Sequence, residues 1–147
     1  MKKVLICGGT GFIGYHLAKR FLRMNWEVTS FSSKPPVNYR NIKKVKYKIC
    51  DLTKVKELKK KLRSNFNYII NLSGHVDHKN KNKTLKSHFN SVENLVSVIN
   101  KKKLFPERFI QMGSSAEYGG LSTPQKENAI CKAKSFYGNA KLKTTKF

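Results

Sequence analysis

Tyr137 and Lys141 stand four residues apart in the segment Tyr137-Gly138-Asn139-Ala140-Lys141. On a helix that spacing places a phenol and an ammonium side by side on one face. A free tyrosine ionises near pH ~10, and a neighbouring cation favours its phenolate. Such a pair can exchange a proton with a hydroxyl or carbonyl near neutral pH. Ser114, within Gly113-Ser114-Ser115-Ala116-Glu117-Tyr118-Gly119, offers a hydroxyl that can hydrogen-bond the same oxygen. A lysine-rich helix surface also yields a Tyr and a Lys at this spacing by chance, so the pair takes its meaning from what precedes it.

What precedes it is a glycine loop, Gly8-Gly9-Thr10-Gly11-Phe12-Ile13-Gly14, that follows the short apolar run Val4-Leu5-Ile6-Cys7. The run reads as a buried strand. Phe12, Ile13, Leu17, Phe21 and Leu22 then recur at helical spacing. Strand, glycine turn and helix together suit a dinucleotide diphosphate. Gly8 permits the tight turn, Gly11 lets the backbone approach phosphates, and Gly14 lets the helix pack close to the strand. The N–H groups of Phe12 and Ile13 then face the anion at the positive end of the helix dipole. The competing reading is a glycine-rich turn without a ligand.

Two further places bear on the cofactor. In folds of this kind a carboxylate at the end of the second strand holds the ribose hydroxyls of NAD. Here that place falls on Ser32, Ser33 and Lys34. Small hydroxyls and a cation suit a 2′-phosphate, so the expectation leans to NADP over NAD; alternatively, Lys34 is one more surface lysine. Asp51, after the third strand, can accept from an adenine amino group or cap the helix that follows.

These residues need a scaffold of alternating strands and helices. Further strands are expected over Trp26 to Phe31, Val45 to Cys50, Tyr68 to Leu72 and Arg108 to Met112. Between them, Thr53 is expected to cap a short basic helix from about Lys54 to Arg63. A polar loop or frayed start at 80–82 precedes a helix from about Leu85 to Lys103, and a last helix begins near Ser135. The pattern predicts an α/β fold of the Rossmann type, a doubly wound parallel sheet covered on both faces, as one domain over residues 1–147.

Composition narrows the class. The 147 residues are 39% hydrophobic, enough for a real core. No run is long and apolar enough to span a membrane, and Lys2-Lys3 is followed by only four apolar residues before the glycines, unlike a signal peptide. Cys7, Cys50 and Cys131 are odd in number and far apart, which reads as thiols in a reducing cytoplasm. The net charge of +23 arises from 31 Lys and Arg against 8 Asp and Glu. Those lysines are spread over the whole chain without a nucleic-acid motif, so solvated helix faces are expected rather than a specific nucleic-acid partner.

Taken in order, GGTGFIG, CDL at Cys50–Leu52, NLSG at Asn71–Gly74, GSSAEYG and YGNAK resemble the extended short-chain dehydrogenase/reductases, the NAD(P)-dependent nucleotide-sugar epimerases, dehydratases and reductases. The resemblance implies a Rossmann fold, hydride transfer at a sugar carbon, and Tyr137 as the acid/base. It assigns Ser114, four residues before Tyr118, as the hydroxyl partner, with Ser115 as the fallback, and gives Lys141 the nicotinamide ribose. Leu52, Leu72, Ser73 and Gly74 join the cofactor residues through the same motifs. The GSSAEYG form looks most like deoxysugar ketoreductases and related surface-polysaccharide enzymes.

There are departures from that family. Cys7 stands where Thr is usual, and His88 where Asn is often found. Family members run to about twice this length, with a C-terminal part that holds the sugar. The expectation is therefore an incomplete domain, either a fragment or truncated reading frame or a chain completed in a homodimer or by a partner chain, whose unpaired sheet edge and half-covered helix favour low solubility or association. The cluster His75-Val76-Asp77-His78 is read as a polar loop beside the cofactor rather than a metal site, since no second ligand cluster accompanies it.

Overall fold

Val4, Leu5, Ile6 and Cys7 present no polar side chain to water, and in the computed structural model they are wholly buried in the central strand of a parallel sheet. The structure describes residues 1–75, 79–120 and 124–147. Within them run β1 Lys3–Cys7, α1 Phe12–Arg23, β2 Glu27–Ser32, β3 Lys46–Ile49, α2 Val55–Lys61 and β4 Tyr68–Asn71. They are followed by α3 Lys81–Leu85, α4 Ser91–Lys101, β5 Arg108–Gln111 and α5 Phe136–Lys146. The strands lie in the order β3-β2-β1-β4-β5, every pair parallel. This is the Rossmann-type α/β arrangement, and all five strands point their carboxyl ends to one edge.

Side chains on β1 alternate between two cores, as a strand covered on both faces requires. Val4 and Ile6 pack with Ala18 and Phe21 of α1, Val28 and Ile70. Leu5 and Cys7 pack with Phe31, Leu58, Leu62, Ile69, Leu95 and Val98 beneath α2 and α4. Burial pushes the Cys50 thiol up to about 11 and the Cys7 thiol further still, so both stay protonated and unreactive at neutral pH.

Three local expectations are corrected. The helix expected from Leu85 begins at Lys81, because the Asn80 side chain caps it by accepting from the Lys83 amide at 3.0 Å. It then passes through a π-helical turn, Lys86–Asn90, before α4. Thr53 is not the cap of α2: Lys54 holds that position, and the Thr53 amide and hydroxyl both donate to Asp51 Oδ1 at 2.9 and 2.8 Å. Asp51 thus closes the turn before the helix rather than capping the helix itself.

The expected apolar edge is present. Among the described residues β5 pairs only with β4, and Phe109, Ile110 and Met112 are partly exposed along it. Ile110 pairs in register with Ile70 of the α1-side core, but α1 covers the β1–β2 half of that face, leaving Ile110 43% exposed.

The glycine turn is sterically tight at one position more than at another. A Cβ on Gly14 would stand 2.5 Å from the Gly8 carbonyl oxygen and from Gly9 Cα, whereas one on Gly11 would approach nothing nearer than 3.3 Å. Gly14→Val should lower the unfolding free energy by about 1–3 kcal/mol, and Gly11→Ala by no more than about 1 kcal/mol, both read from urea denaturation. A Gly14→Val protein as stable as the parent would contradict this packing.

Candidate active site

The first wall of the site is the turn after β1. Gly8 takes φ +82°, a left-handed conformation open to glycine, and its amide donates to the Phe31 carbonyl of β2 at 2.7 Å. The chain therefore reverses directly above the strand ends, and α1 starts at Phe12 with Gly11 as its N-cap. The amides of Phe12, Ile13 and Gly14 are the first three of the helix and lack intrahelical acceptors. No carboxylate lies in that first turn, so nothing on the helix competes with an anion for them. Ser32 is tied to the same turn: its Oγ accepts from the Thr10 amide at 3.3 Å.

A cleft of about 520 Å³ opens beside this turn. Nine expected cofactor residues line it: Gly8, Gly11, Ser32, Ser33, Asp51, Leu52, Leu72, Ser73 and Gly74. They come from four loops that meet because the strands are parallel and in order. Asn71, fully buried, holds the far side of the cleft. Its Oδ1 accepts from the Ser73 amide and hydroxyl, and its Nδ2 donates to Gln111 Oε1 at 2.8 Å. Asn94 of α4 donates to the Leu52 carbonyl at 3.0 Å and holds the near side.

Not every expected residue lines the cleft. Gly14 is buried under the turn, while the Phe12 and Ile13 side chains are 66% and 49% exposed, so their contribution is restricted to backbone amides. Lys34 is exposed past the end of β2 and outside the cleft wall. Conversely, the cleft recruits Lys83, Ser87 and Ser91, which stand at successive four-residue intervals. That spacing was visible, but a helix begun at Leu85 leaves Lys83 out of the stripe. His75 also lines the cleft; the rest of the possible metal cluster, 76–78, lies outside the described residues.

The proton-transfer candidates gather at the carboxyl end of β5. Ser114 caps a 3-10 turn, Ser115–Glu117, its Oγ accepting from the Ala116 amide at 3.2 Å, which leaves its own hydrogen to donate. Glu117 folds back and accepts from the Ser114 amide at 2.7 Å. Helix α5 is capped by Ser135, whose Oγ accepts from the Gly138 amide at 2.9 Å. The buried Gly138 lets that helix close on the Ala116 carbonyl, with no room for a Cβ between them. Lys141 is buried, and its ammonium donates to the Met112 carbonyl at 2.7 Å while lying 5.9 Å from the centre of the Tyr137 ring. Burial lowers the Lys141 pKa from its ordinary value, and the nearby Glu117 carboxylate opposes that shift.

His88, in the π-helical turn, connects the two halves. Its ring meets the Tyr137 ring edge-on at 5.0 Å, and its Nε2 donates to the His75 carbonyl at 3.1 Å. The ring packs so closely on Gly74 that no Cβ could stand there. The His88 carbonyl in turn accepts from Thr144 Oγ1 on α5 at 3.0 Å. Thus the cleft loop after β4 and the Tyr137 helix are joined through one buried imidazole.

Many solved structures share this fold. The ADP-L-glycero-D-manno-heptose-6-epimerase of Helicobacter pylori superposes with a TM-score of 0.87 at 21% identity, over 99% of this chain and 49% of its own. The UDP-Glc/GlcNAc 4-epimerase of Campylobacter jejuni gives 0.88 at 22% identity, over 99% and 47%. The Bordetella bronchiseptica enzyme WbmG, solved with NAD and UDP, gives 0.85 at 15% identity, over 97% and 48%. The chain therefore spans about half the length of these structures. Among curated proteins no sequence relative was found. The family model described as the NAD dependent epimerase/dehydratase family matches residues 4–147, and on that match over nearly its whole length the chain belongs to this family.

Proposed function

We propose that this chain binds a nicotinamide dinucleotide in the cleft beside Gly8 and serves hydride transfer at a carbon of a nucleotide-activated sugar. The observation that carries the reading is the shared edge. The helix N-terminus at Phe12, the Asp51 turn and the Tyr137–Lys141 face all stand at the carboxyl ends of the strands, where ligands bind in such sheets.

The residues fit the cofactor. The unpaired amides of Phe12 and Ile13 and the uncluttered Gly11 suit a diphosphate, Asp51 and Leu52 suit the adenosine end, and Leu72, Ser73 and Gly74 suit the nicotinamide end. When bound, the nicotinamide supplies the hydride acceptor or donor. The protein's part is orientation and proton transfer. Ser114 donates to the substrate oxygen, Tyr137 takes or returns the proton on that oxygen, and Lys141 supplies positive charge beside the phenol and a donor for the ribose. One of the three ammonium hydrogens is engaged by Met112, leaving two.

Ser32 and Ser33, with no carboxylate beside them, favour NADP(H) over NAD(H), and the exposed Lys34 can swing toward a 2′-phosphate. A sugar nucleotide is the substrate class. Epimerisation, dehydration and keto-reduction share this first half of the chemistry, and a deoxysugar or surface-polysaccharide substrate accords best with GSSAEYG. The same reading puts the chain in the cytoplasm, acting as a homodimer or with a partner chain. A second reading is cofactor binding without turnover.

Two measurements test this. Nicotinamide fluorescence during titration should show NADPH binding more tightly than NADH, and Gly11→Ala should weaken both at least tenfold despite its small effect on folding. Equal affinities would remove the NADP preference, and no binding of either would remove the cofactor. With a panel of nucleotide-activated sugars, Tyr137→Phe should lower kcat by about 10²–10⁴-fold while leaving the cofactor Kd within a factor of two. Turnover unchanged in Tyr137→Phe would end its role as acid/base, and binding without turnover in the parent would select the second reading.

A further inference from the structure

The chain carries 31 Lys and Arg but 8 Asp and Glu, and almost all of these charges remain in contact with water. Among the described residues only one ammonium and one carboxylate are buried, Lys141 and Glu117, each 5% exposed. Both stand at the carboxyl end of β5. Lys141 arrives from α5 and donates to a neutral acceptor, the Met112 carbonyl, which satisfies one hydrogen without balancing the charge. Glu117 arrives from the 3-10 turn, where Oε1 accepts from the Ser114 amide at 2.7 Å. A Cβ on Gly113 would stand 3.2 Å from that same oxygen, so the glycine gives the carboxylate room. Burying a charge without an opposite one is costly, and two buried charges of opposite sign at the end of one strand answer that cost.

We propose that Glu117 is a positioning residue of the proton-transfer site, its carboxylate fixing the Ser114 backbone and serving as counter-charge to the buried Lys141 ammonium. A reciprocal cap, with the Ser114 Oγ bonded to the Ala116 amide and Glu117 bonded back to Ser114, needs only an acceptor at residue 117, and glutamine would provide it. The charge is required by Lys141 instead. Glu117 therefore links the two residues on either side of Tyr137: the hydroxyl is aimed by its hydrogen bond, and the ammonium is kept protonated by its field. The catalytic meaning of the link rests on the roles proposed above for Ser114, Tyr137 and Lys141. The charge pairing itself does not.

The groups that face Lys141 among the described residues are Tyr137 one turn earlier on its own helix, the Met112 carbonyl of β5, and Glu117. His88 touches Tyr137 from the π-helical turn. Glu117 is the one anion in the set, and it is the charge that opposes the desolvation of Lys141.

The test is a pH titration of the cofactor-free chain labelled with ¹³C-lysine, with the Lys141 ε-carbon signal assigned by its loss in Lys141→Met. In Glu117→Gln the acceptor for Ser114 is kept and the counter-charge removed. A cation that loses a stabilising anion gives up its proton at lower pH, so the Lys141 midpoint should move down relative to the parent. A midpoint that stays in place overturns the proposal. Should Glu117→Gln fail to fold, the double variant Glu117→Gln/Lys141→Met decides, since removing the stranded ammonium should restore the folded spectrum; a double variant as unfolded as the single one also overturns it. Because the titration uses neither cofactor nor substrate, a negative outcome is separable from a failure to bind nicotinamide.

Discussion

A reversal of the backbone directly after the central strand governs the rest of the molecule. Gly8 turns with a positive φ, donates to β2, and lies with its Cα against the Leu72 carbonyl at the end of β4. Three strand ends are thus gathered around one peptide turn. A side chain at Gly8 would both strain the turn and meet Leu72 at about 3 Å. Helix α1 starts from that turn, and the cleft opens beside it, lined there by Gly8, Thr10 and Gly11.

Around this turn the strand ends are tied by side chains, each bonded to main-chain groups that the sheet has left behind. Asn71 serves the loop after its own strand and reaches across to Gln111. Asp51 closes the turn after β3, and Asn94 reaches from α4 to the Leu52 carbonyl. Where β5 ends, Ser114 and Glu117 exchange bonds in the same way. Buried polar groups are costly unless satisfied, so these ties fix the loops more narrowly than apolar packing could. Of the lysines on the surface, Lys61 makes a tie of this kind, donating to the Ile49 carbonyl at the end of β3.

Much of this was legible in the residues. β1, its glycine turn and α1 could be read because three signals coincide there: an apolar run too short for a helix, glycines at defined spacing, and a helical apolar stripe. The loops that line the cleft could be read because short motifs at strand ends report their own backbone geometry. The start of α3 was misplaced because Lys81, Asn82 and Lys83 carry no apolar stripe; the cap is made by Asn80, whose amide side chain suits loops as readily as caps. Thr53 looked like a cap because threonine often is one, but Asp51 two residues earlier captured both its donors. Lys34 stands exposed outside the cleft wall, a property of the folded loop that its place after β2 does not report.

By itself, then, the order of residue types determined the individual strands, the glycine turn and the spacing of Tyr137 and Lys141, since each depends on neighbours within a few positions along the chain. Only the tertiary structure decided what meets across long separations. His88 lies between Gly74 and Tyr137, Lys141 reaches back to Met112, and Glu117 shares a buried corner with Lys141. Such contacts are set by how α5 and the π-helical turn stack over the carboxyl ends of β4 and β5. No local preference encodes that stacking: the close fit at Gly74 and Gly138 exists only once the chain has folded.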